Sequence, residues 1–374
     1  MIPRLTIVGA SVRAAAASAL RAGLVPWCAD LFADTDLRAI SPDAIRCPIA
    51  QYPHGFLDIL ARAPDCPWIY TGGLENYPGL IQRMSAIRPL WGNGPNTLRL
   101  CRSPAVVAHI LRDAGIPGPE LWNSDAAPPA DRRWLRKPIG GSAGQGIAFV
   151  DATTQQASAT HYVQEFIDGR SMSAVFVRPH GELQLIGVAE QLIGTEWLNA
   201  APFHHAGNIG PIEISDHLRS QLLRIGNALS NECGLVGVFG IDFVLRDDYP
   251  WVVEVNPRYP ASTEIYERAL GTSLLALHRR AFDRTVSFGP IVNSVGPVVG
   301  KGILYTRRTI EFSGRNELSN FKIADVPNPG ERIDIGWPVL TVLVHAQSYR
   351  DCVRQLQDAA TAINRILFGG STLC

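Results

Sequence analysis

The chain has 374 residues, and its 34 lysine and arginine residues balance its 34 aspartate and glutamate residues. This balance, together with the lack of any long run of basic residues, argues against nucleic acid as a partner. No stretch reaches the roughly 18 consecutive apolar residues that a membrane span needs. At this length, the sequence predicts two or three domains that together bury a large core.

The seven cysteines are scattered without a C-x-x-C spacing. The sequence therefore predicts neither a zinc site nor a disulfide framework. The first residues lead directly into a strand pattern without a signal peptide, so we expect a cytoplasmic protein with small-molecule partners and no membrane contact. A homodimer is compatible with the sequence, which does not decide the oligomeric state.

The N-terminal residues have the pattern of a βαβ unit. Residues 5–11 form a buried strand pattern that ends in a turn, and the alanine-rich segment 13–22 has high helix propensity and is followed by Gly23. Residues 24–30 form the returning strand, so a parallel sheet with a right-handed crossover is expected. A lone Gly9 is too little for the G-x-G-x-x-G fingerprint, so a dinucleotide is not expected here.

A further strand pattern at 68–70 leads into a polar turn at 71–76. Ligands of open α/β sheets bind at the carboxyl ends of strands. The polar side chains that follow the strands of this region are therefore candidates for binding a second substrate: Ser11, Arg13, Glu75 and Asn76. Turn formation or helix capping explains each of them equally well.

A glycine-rich loop lies between the strand patterns 134–138 and 147–150. It contains Gly140, Gly141, Ser142, Gly144 and Gly146. Because glycines let backbone N–H groups approach phosphate oxygens, this order of strand, loop and strand predicts a flexible flap that covers phosphates. It is not a P-loop, since the Gly-Lys-Ser/Thr ending and the following helix are absent. A glycine-rich hairpin without a ligand is the alternative.

Two adjacent histidines, His204 and His205, stand with Asn208 in a glycine-bearing loop. Imidazole groups bind carboxylates or transfer protons near neutral pH. Adjacent histidines in a rigid element do not converge on one metal, and no third histidine or cysteine is close in sequence. Substrate contact is therefore favoured over metal binding, with ordinary loop residues as the other alternative.

Residues 238–258 predict a hairpin that holds a cation. Two apolar strand patterns flank a polar turn, and antiparallel pairing would bring Asp242 beside Glu254 and Asn256. Two carboxylates and an amide oxygen suit Mg²⁺ shared with nucleotide phosphates better than they suit zinc or copper. An ionised glutamate in a buried strand also needs a compensating partner. Alternatively, Asp242 and Glu254 are half-exposed strand residues that face solvent.

The glycine loop, the strand pattern 162–169 and the hairpin occur in the order typical of one superfamily. Over about residues 96–285 the chain resembles the ATP-grasp superfamily. The resemblance implies ATP and Mg²⁺ as cofactors, with Mg²⁺ on the three hairpin residues. Arg258, at the end of the second strand, carries a guanidinium suited to phosphate or carboxylate and would stabilise the reacting groups.

The same resemblance implies further nucleotide contacts. Glu165 and the backbone of Phe166 and Ile167 match the strand against which adenine packs in that superfamily. Lys137 matches a phosphate ligand. Ser171 stands where the superfamily usually has a glutamate for the ribose hydroxyls.

A cation usually precedes the next matching element, a helix, and reaches the phosphates. The helix pattern here lies within the segment 102–119, with Val106, Val107, Ile110 and Leu111 at helical spacing, and is ended by a Gly-Pro signal. Arg102 is the candidate cation, and Arg99 is close enough in sequence to compete.

Residues 321–343 resemble the C-terminal domain of biotin carboxylases, in which an Ala-Asp-x-Pro-x-Pro-Gly turn precedes a Gly-x-Pro-Val run. An amphipathic helix pattern at 348–367 closes this part, for which a structural role is expected. The expected fold class is α/β and α+β. It combines an N-terminal Rossmann-like (pre-ATP-grasp) parallel-sheet domain at 1–95, an ATP-grasp domain at 96–290 with a flexible lid at about 134–190, and a biotin-carboxylase-like C-terminal domain at 291–374.

The resemblance implies an ATP-dependent carboxylate–amine ligase that forms an amide through an acyl phosphate. Residues 9–23 and the carboxylase-like tail are similar to a group of predicted carboligases, some linked to pterin-dependent one-carbon metabolism. A role in building a cofactor of that metabolism is the expectation. The alternatives are a carboxylase acting on bicarbonate, a small-molecule kinase, and a nucleotide-sensing protein without activity.

Overall fold

A computed structural model describes residues 2–123, 127–151, 158–179, 182–283, 285, 296–314 and 316–369. No helix within these ranges is both long and apolar enough to cross a membrane.

The N-terminal region is a four-stranded parallel sheet in the order β3-β2-β1-β4. Leu5, Ile7 and Val8 are fully buried between the flanking helices, and Gly23 follows the first helix with a φ of +70° that favours glycine. The predicted βαβ unit is confirmed. The elements are β1 (Arg4–Val8), α1 (Arg13–Arg21), β2 (Val25–Asp30), α2 (Thr35–Ile40), β3 (Ile45–Arg46), α3 (Gly55–Arg62), β4 (Trp68–Tyr70) and α4 (Pro78–Ser85).

Two short helices, α5 (Pro95–Cys101) and α6 (Pro104–Asp113), lead into the next region. The side chain of Ser103 caps α6 by accepting a hydrogen bond from the backbone N–H of Val106 at 3.4 Å. Pro104 occupies the first turn of α6, where a missing N–H has no cost. Arg102 therefore lies in the tight junction between the two helices.

A small antiparallel sheet follows, in the order β5-β8-β6-β7. Its strands are β5 (Leu121–Trp122), β6 (Trp134–Pro138), β7 (Ala148–Phe149) and β8 (His161–Glu165). The glycine loop connects β6 to β7, as predicted. Residues from 170 onward pair in a different, larger sheet, so the segment predicted as a lid at about 134–190 contains strands of two sheets.

The larger sheet has eight strands in the order β13-β12-β9-β10-β11-β14-β18-β16, all paired antiparallel. Its strands are β9 (Arg170–Arg178), β10 (Gln184–Ile193), β11 (His205–Ile212), β12 (Gly237–Arg246), β13 (Tyr249–Asn256), β14 (Val298–Tyr305), β16 (Ile323–Ala324) and β18 (Pro338–Ala346). Helix α7 (Asp216–Cys233) packs on one face through its apolar stripe, and α8 (Thr263–Leu270) and α9 (Leu274–Arg280) follow β13.

The sheet continues without a break from the central region into the C-terminal region. At the junction, β11 pairs with β14, and Gly207 opposes Gly302. A Cβ on Gly207 would lie 1.9 Å from the carbonyl oxygen of Lys301, so this close approach requires glycine. The predicted domain boundary at 290/291 lies outside the described residues.

The C-terminal region is completed by β15 (Ile310–Phe312), β17 (Glu331–Ile333) and α10 (Tyr349–Phe368). Ser348 caps α10, and the stripe formed by Leu356, Ala360 and Ile363 is fully buried against β14 and β18. The predicted amphipathic helix is therefore present.

Candidate active site

The β12–β13 hairpin brings two carboxylates together. The register places Asp242 directly opposite Glu254, and a β-bulge separates this pair from the next. Asn256 donates from Nδ2 to Asp242 Oδ2 at 3.0 Å. The three residues predicted as metal ligands are thus adjacent, as antiparallel pairing required.

The electrostatics of this pair favour a bound cation. Burial and the neighbouring Glu254 raise the pKa of Asp242 to about 7. Burial opposes the ionisation of Glu254 as well, but nearby cations, Arg102 first, outweigh it and lower the pKa of that carboxyl. A divalent ion beside the pair would relieve the repulsion that keeps Asp242 partly protonated.

The donor set fits Mg²⁺ better than a metal that needs a full protein cage. Among the residues that the structure describes, no group of three or more His, Cys, Asp or Glu side chains could hold a metal ion. Mg²⁺ commonly uses one or two carboxylates and takes its other ligands from water and nucleotide phosphates. Asp242, Glu254 and Asn256 match that partial set.

Arg102 joins three parts of the site. It donates to Glu254 Oε1 at 2.5 Å, to Asn76 Oδ1 at 2.9 Å and to the carbonyl oxygen of Gly141 at 3.0 Å. Arg99, the competing candidate, instead contacts Asn96 at an exposed position. The structure therefore places Arg102 at the centre of the site.

A cavity of about 520 Å³ opens in front of Glu254. Lys137 lines it and donates from Nζ to Gln164 Oε1 at 3.0 Å. Of the residues predicted to bind nucleotide, the cavity is lined by Arg102, Lys137, Gly141, Ser142 and Gly144. Its other walls come from α6, the segment 116–121 and the strand residues 252–255.

Six other residues predicted to bind nucleotide are not among the described lining residues: Gly140, Gly146, Glu165, Phe166, Ile167 and Ser171. Glu165 instead accepts a hydrogen bond from the backbone N–H of Glu120 at 3.2 Å. The ring of Phe166 packs against Phe149, with the Arg133 guanidinium 4.4 Å from its centroid.

Sequence reasoning missed two residues of β8 that line the cavity, Tyr162 and Gln164. Gln164 is almost fully buried, and a polar side chain alternating with apolar ones in a strand was a usable signal. Its amide oxygen holds Lys137 in place. The residues of β8 that line the cavity therefore come just before the segment from Glu165 to Ile167, which was predicted to contact adenine.

The glycine loop is docked onto the start of β11. The loop predicted to carry His205 and Asn208 is wrong at these two residues, because the segment from His205 onward pairs as a strand with β10 and β14. The backbone N–H of His205 donates to the carbonyl oxygen of Ala143 at 3.1 Å. Gly144 has a φ of +77°, and a Cβ there would lie 1.9 Å from the carbonyl oxygen of Phe203. The flap and the histidine segment are therefore in direct contact.

Arg258 connects the metal set to the N-terminal sheet. It donates from Nη2 to Asn256 Oδ1 and from Nε to Glu75 Oε1, each at 3.0 Å. A Cβ on Gly72 would lie 3.4 Å from the guanidinium carbon, so the turn after β4 packs directly on Arg258. The carboxyl end of β4 is thereby brought to the candidate metal site.

Three buried polar atoms around this group have no hydrogen-bond partner within the described residues: Glu75 Oε2, His205 Nε2 and Asn208 Oδ1. Burial and the charge of Lys301 lower the pKa of His205 to about 4, so its imidazole is neutral near pH 7. Buried polar atoms without partners are rare, and a ligand is one explanation for them. All three residues were predicted to contact substrate.

The remaining substrate candidates have different surroundings. Asn76 contacts Arg102 and the glycine loop, and the His204 ring lies 6.0 Å from that of Tyr305. The carbonyl oxygen of Ser11 accepts a hydrogen bond from Thr71 Oγ1 at 2.8 Å. Ser11 thus lies beside the turn that packs on Arg258.

Arg13 is not brought together with these residues. Its guanidinium donates to both carboxylate oxygens of Glu264, at 2.6 and 2.8 Å, and to Asp325 Oδ1 at 2.8 Å. Glu264 also accepts from Lys301 at 2.9 Å. Because all its nitrogens are engaged, Arg13 is placed to join α1 to α8 and to the C-terminal region rather than to meet a substrate.

The family model described as "ATP-grasp domain" matches residues 105–262, which contain the small β5-β8-β6-β7 sheet, the glycine loop and the β12–β13 hairpin. Residues 105–262 form an ATP-grasp domain. The predicted assignment to the ATP-grasp superfamily is confirmed.

Curated relatives are distant. An uncharacterised protein of Methanocaldococcus jannaschii is 23% identical over 303 residues, which cover 76% of this chain and 70% of that protein. A formate-dependent phosphoribosylglycinamide formyltransferase of Hydrogenovibrio crunogenus is 28% identical over 190 residues, which cover 48% of this chain and 47% of that enzyme. The chain therefore spans about half the length of the latter relative.

Solved structures share the fold over nearly the whole chain. An L-amino acid ligase from Bacillus licheniformis superposes with a TM-score of 0.72 at 18% identity, over 96% of this chain and 97% of that one. An ADP complex of N5-carboxyaminoimidazole ribonucleotide synthetase gives 0.71 at 16% identity, over 98% and 99%. A biotin carboxylase from Campylobacter jejuni gives 0.66 at 14% identity, over 95% and 90%.

These similarities confirm the predicted ATP-grasp fold, including the parallel N-terminal sheet and a biotin-carboxylase-like architecture that extends through the C-terminal region. The prediction of an ATP-grasp enzyme is confirmed at the level of the superfamily. At these identities the solved structures establish the fold alone, and the substrates belong to the proposal below.

Proposed function

We propose that the protein is an ATP-dependent carboxylate–amine ligase. ATP transfers its γ-phosphoryl group to a carboxylate, which gives an acyl phosphate and ADP. The amine then attacks the acyl carbon, and phosphate leaves as the amide forms. The observation that carries the proposal is the Arg258 bridge between Asn256 of the candidate metal site and Glu75 of the N-terminal sheet.

The 520 Å³ cavity is the site proposed for ATP. Phosphoryl transfer depends mainly on positioning and on compensation of phosphate charge. Lys137 and Arg102 supply two cations on the cavity wall, and Ser142 lies with Gly141 and Gly144 on the flap above them. Mg²⁺ on Asp242, Glu254 and Asn256 would supply further neutralisation of the transferring phosphoryl group.

Arg258 is the residue proposed to stabilise the acyl phosphate and the tetrahedral species that follows. Its guanidinium is held from two sides, by Asn256 and by Glu75. Groups that are fixed before the reaction lose little free energy by reorganising when charge develops. The geometry therefore favours Arg258 acting on the reacting carboxyl group rather than on adenine or ribose.

The acceptor substrates are proposed to bind between Arg258 and the start of β11. The partnerless atoms of Glu75, His205 and Asn208 offer an acceptor oxygen, an imidazole nitrogen and an amide oxygen in this region. The attacking nucleophile is the neutral amine, and the partnerless Nε2 of the neutral His205 is proposed to accept the proton that the amine nitrogen releases as the amide bond forms. The negative charge of the bound acyl phosphate would raise the basicity of this imidazole. Ser11, Asn76 and His204 flank this region.

The names of the relatives favour a carboxylate as one substrate. One solved relative is an L-amino acid ligase, and one curated relative is a formate-dependent formyltransferase. Because formate is a one-carbon compound, the second relative supports including a role in the synthesis of a one-carbon-metabolism cofactor in the proposal. A carboxylase that phosphorylates bicarbonate is the second candidate, favoured by the fold similarity to biotin carboxylase and to the synthetase.

The deciding experiment measures ADP and phosphate release with ATP, Mg²⁺ and pooled carboxylates and amines, followed by single compounds. A ligase requires both an organic carboxylate or formate and an amine, and mass spectrometry then shows the amide. Dependence on bicarbonate would identify the carboxylase instead. ADP formation with a hydroxyl acceptor and no phosphate release would identify a kinase, and either result would overturn the ligase.

A further inference from the structure

A second cavity, of about 310 Å³, lies between the N-terminal sheet and the C-terminal region. Leu31, Phe32 and Ile49 line it from one side, and Trp337 and Leu340 line it from the other. It has no lining residue in common with the cavity proposed for ATP. Its volume is at the small end of the range for ligand sites, roughly 300 Å³ and above, which suits a single small ring-bearing molecule.

One buried carboxylate of this cavity has no partner among the described residues. Asp34 lines the cavity and is only 5% exposed. It precedes α2, but its side chain makes no capping hydrogen bond. Within the described part of the chain, no hydrogen-bond donor or cation contacts its carboxylate group. A carboxylate buried to this extent is costly unless a partner compensates it.

The other carboxylates that line the cavity are all engaged. Asp325 accepts from Thr341 Oγ1 at 2.6 Å as well as from Arg13. Glu331 pairs with Arg46 at 2.6 Å, and Asp334 pairs with Arg332 at 3.0 Å. Asp34 therefore differs from the other carboxylates that line the cavity, each of which has a described partner.

The charge around Asp34 selects for a cationic ligand. Burial first, and then the carboxylates of Asp325, Asp30, Asp36 and Glu331, raise the pKa of Asp34 to about 8. Arg46 and Arg332 also line the cavity, but each is paired with another carboxylate, Glu331 and Asp334 respectively. A cation placed against Asp34 would remove the cost of ionising it, and aromatic faces such as those of Phe32 and Trp337 add to the attraction.

We propose that this cavity binds a small organic amine in its protonated form, with the ammonium group on Asp34 and the apolar body against Phe32 and Trp337. The indole of Trp337 is 42% exposed, which places it at the mouth of the cavity. The site assignment stands on the cavity and its carboxylate. Only the identification of the amine with the co-substrate rests on the proposed ligase function.

The cavity and the active site lie on the two sides of one turn. Ser11 lines the cavity, and its carbonyl oxygen accepts the Thr71 hydroxyl. The next residue, Gly72, packs on Arg258. The backbone of this turn therefore lies between a ligand in the cavity and Arg258. Such an amine is either the co-substrate of the reaction or a regulatory ligand, and the measurements below distinguish the two.

The test is equilibrium binding to the full chain by isothermal titration calorimetry. The probes are benzylamine, phenethylamine and tyramine, each compared with its uncharged alcohol counterpart. We expect at least one amine to bind roughly tenfold or more tightly than its alcohol, since a hydrogen bond to a charged group contributes about 1.5–3 kcal/mol. Failure of every amine to bind better than its alcohol would overturn the proposal.

The variant Asp34→Asn should lose this preference for amines while its unfolding midpoint stays at or above that of the wild type. The matched control is Asp334→Asn, which removes a carboxylate from the same cavity that is paired and 58% exposed, and it should keep the preference. Phe32→Ala should lower the affinity for every amine that binds to the wild type. Unchanged binding to Asp34→Asn, or equal losses in the two aspartate variants, would also refute the site.

Two further measurements identify the source and separate this inference from the ligase proposal. If the bound amine is consumed and appears in an amide product, it is the co-substrate. If it alters ADP release without being consumed, it is a regulatory ligand. ADP binding to the same full chain is measured in parallel. If the chain binds an amine but not ADP, only the ligase proposal is refuted. If it binds ADP but no amine, only the cavity proposal is refuted.

Discussion

Arg258 Nε lies 3.0 Å from Glu75 Oε1, a contact between residues 183 positions apart in sequence. Both side chains are largely buried, with Glu75 only 2% exposed at its side chain. Arg258, which follows the hairpin of the candidate metal site, is therefore held by a residue of the N-terminal region, where the second substrate is proposed to bind. Positioning and chemistry at Arg258 can be tested separately.

Arg258→Lys should lower kcat by about a hundredfold or more, because a charge aimed at the reacting group is displaced. ADP affinity should change by no more than a few-fold, since Arg258 does not line the cavity proposed for ATP. Steady-state kinetics and ADP titration provide the measurements. Glu75→Gln is the matched variant, because it keeps an oxygen for Arg258 and should have the smaller effect on kcat. An equal loss of ADP affinity and of kcat in Arg258→Lys would contradict this role.

Glu254→Gln should abolish ATP turnover and leave the fold intact, because it removes one charge at nearly constant volume from the candidate metal site. Its Mg²⁺ dependence should be lost together with its turnover. Glu311→Gln, which changes an exposed glutamate on β15 that does not line the cavity, is the control and should retain turnover. Normal turnover in Glu254→Gln would refute the metal assignment, and a lower melting temperature alone would indicate a structural role.

Gly144→Ala should raise the KM for ATP by roughly tenfold or more, because the added Cβ meets the Phe203 carbonyl and the backbone has a positive φ. Gly140→Ala is the control in the same loop, since a Cβ there meets nothing within 4 Å. Hydrogen exchange across residues 140–146 should slow when an ATP analogue that resists hydrolysis is bound. Equal kinetics for the two variants, or exchange that ignores the nucleotide, would count against the flap.

Arg13→Gln should destabilise the protein by about 3–5 kcal/mol, because it leaves Glu264 and Asp325 buried with fewer partners. Arg332→Gln removes an ion pair at the surface and should cost less than about 1 kcal/mol. Urea unfolding of both variants measures the difference. A variant of Arg13 with normal stability and a raised KM for the acceptor would restore the substrate role predicted from the sequence.

Asp34→Asn should change how stability depends on pH. The folded state raises the pKa of Asp34 from 3.8 to about 8, so the folded protein keeps a proton that the unfolded chain releases. Stability from this group is complete below about pH 4 and is lost as the pH rises toward 8. At about pH 9 the variant should therefore be more stable than the wild type by at least about 1 kcal/mol. Parallel unfolding profiles over this pH range would show that Asp34 is not buried in this way.

Local patterns were sufficient to predict the pairing of the two hairpin carboxylates and the position of the glycine loop. Asp242 and Glu254 are separated by a short turn, so antiparallel pairing alone fixes their register. The glycine loop similarly follows from its two flanking strands. Both predictions rest on contacts between residues close in sequence, where strand geometry leaves few alternatives.

Contacts between distant segments could not be predicted in the same way. Arg13 meets Glu264 and Asp325, which are 251 and 312 residues away. Ser11 follows the same strand without meeting them, and the local sequence pattern does not distinguish the two residues as substrate ligands. The burial of Asp34 in a cavity is likewise a result of packing the C-terminal region against the N-terminal sheet, which local sequence patterns do not predict.

The pairing of β11 with β14 has a consequence for any shortened form of the protein. Removing the chain from residue 298 onward would strip the partner from β11 and leave its backbone N–H and C=O groups as an open edge beside His205 and Asn208. Open edges of this kind recruit strands from other molecules. A fragment that ends where the ATP-grasp match ends would therefore be prone to aggregation, although every residue proposed to bind the nucleotide would still be present.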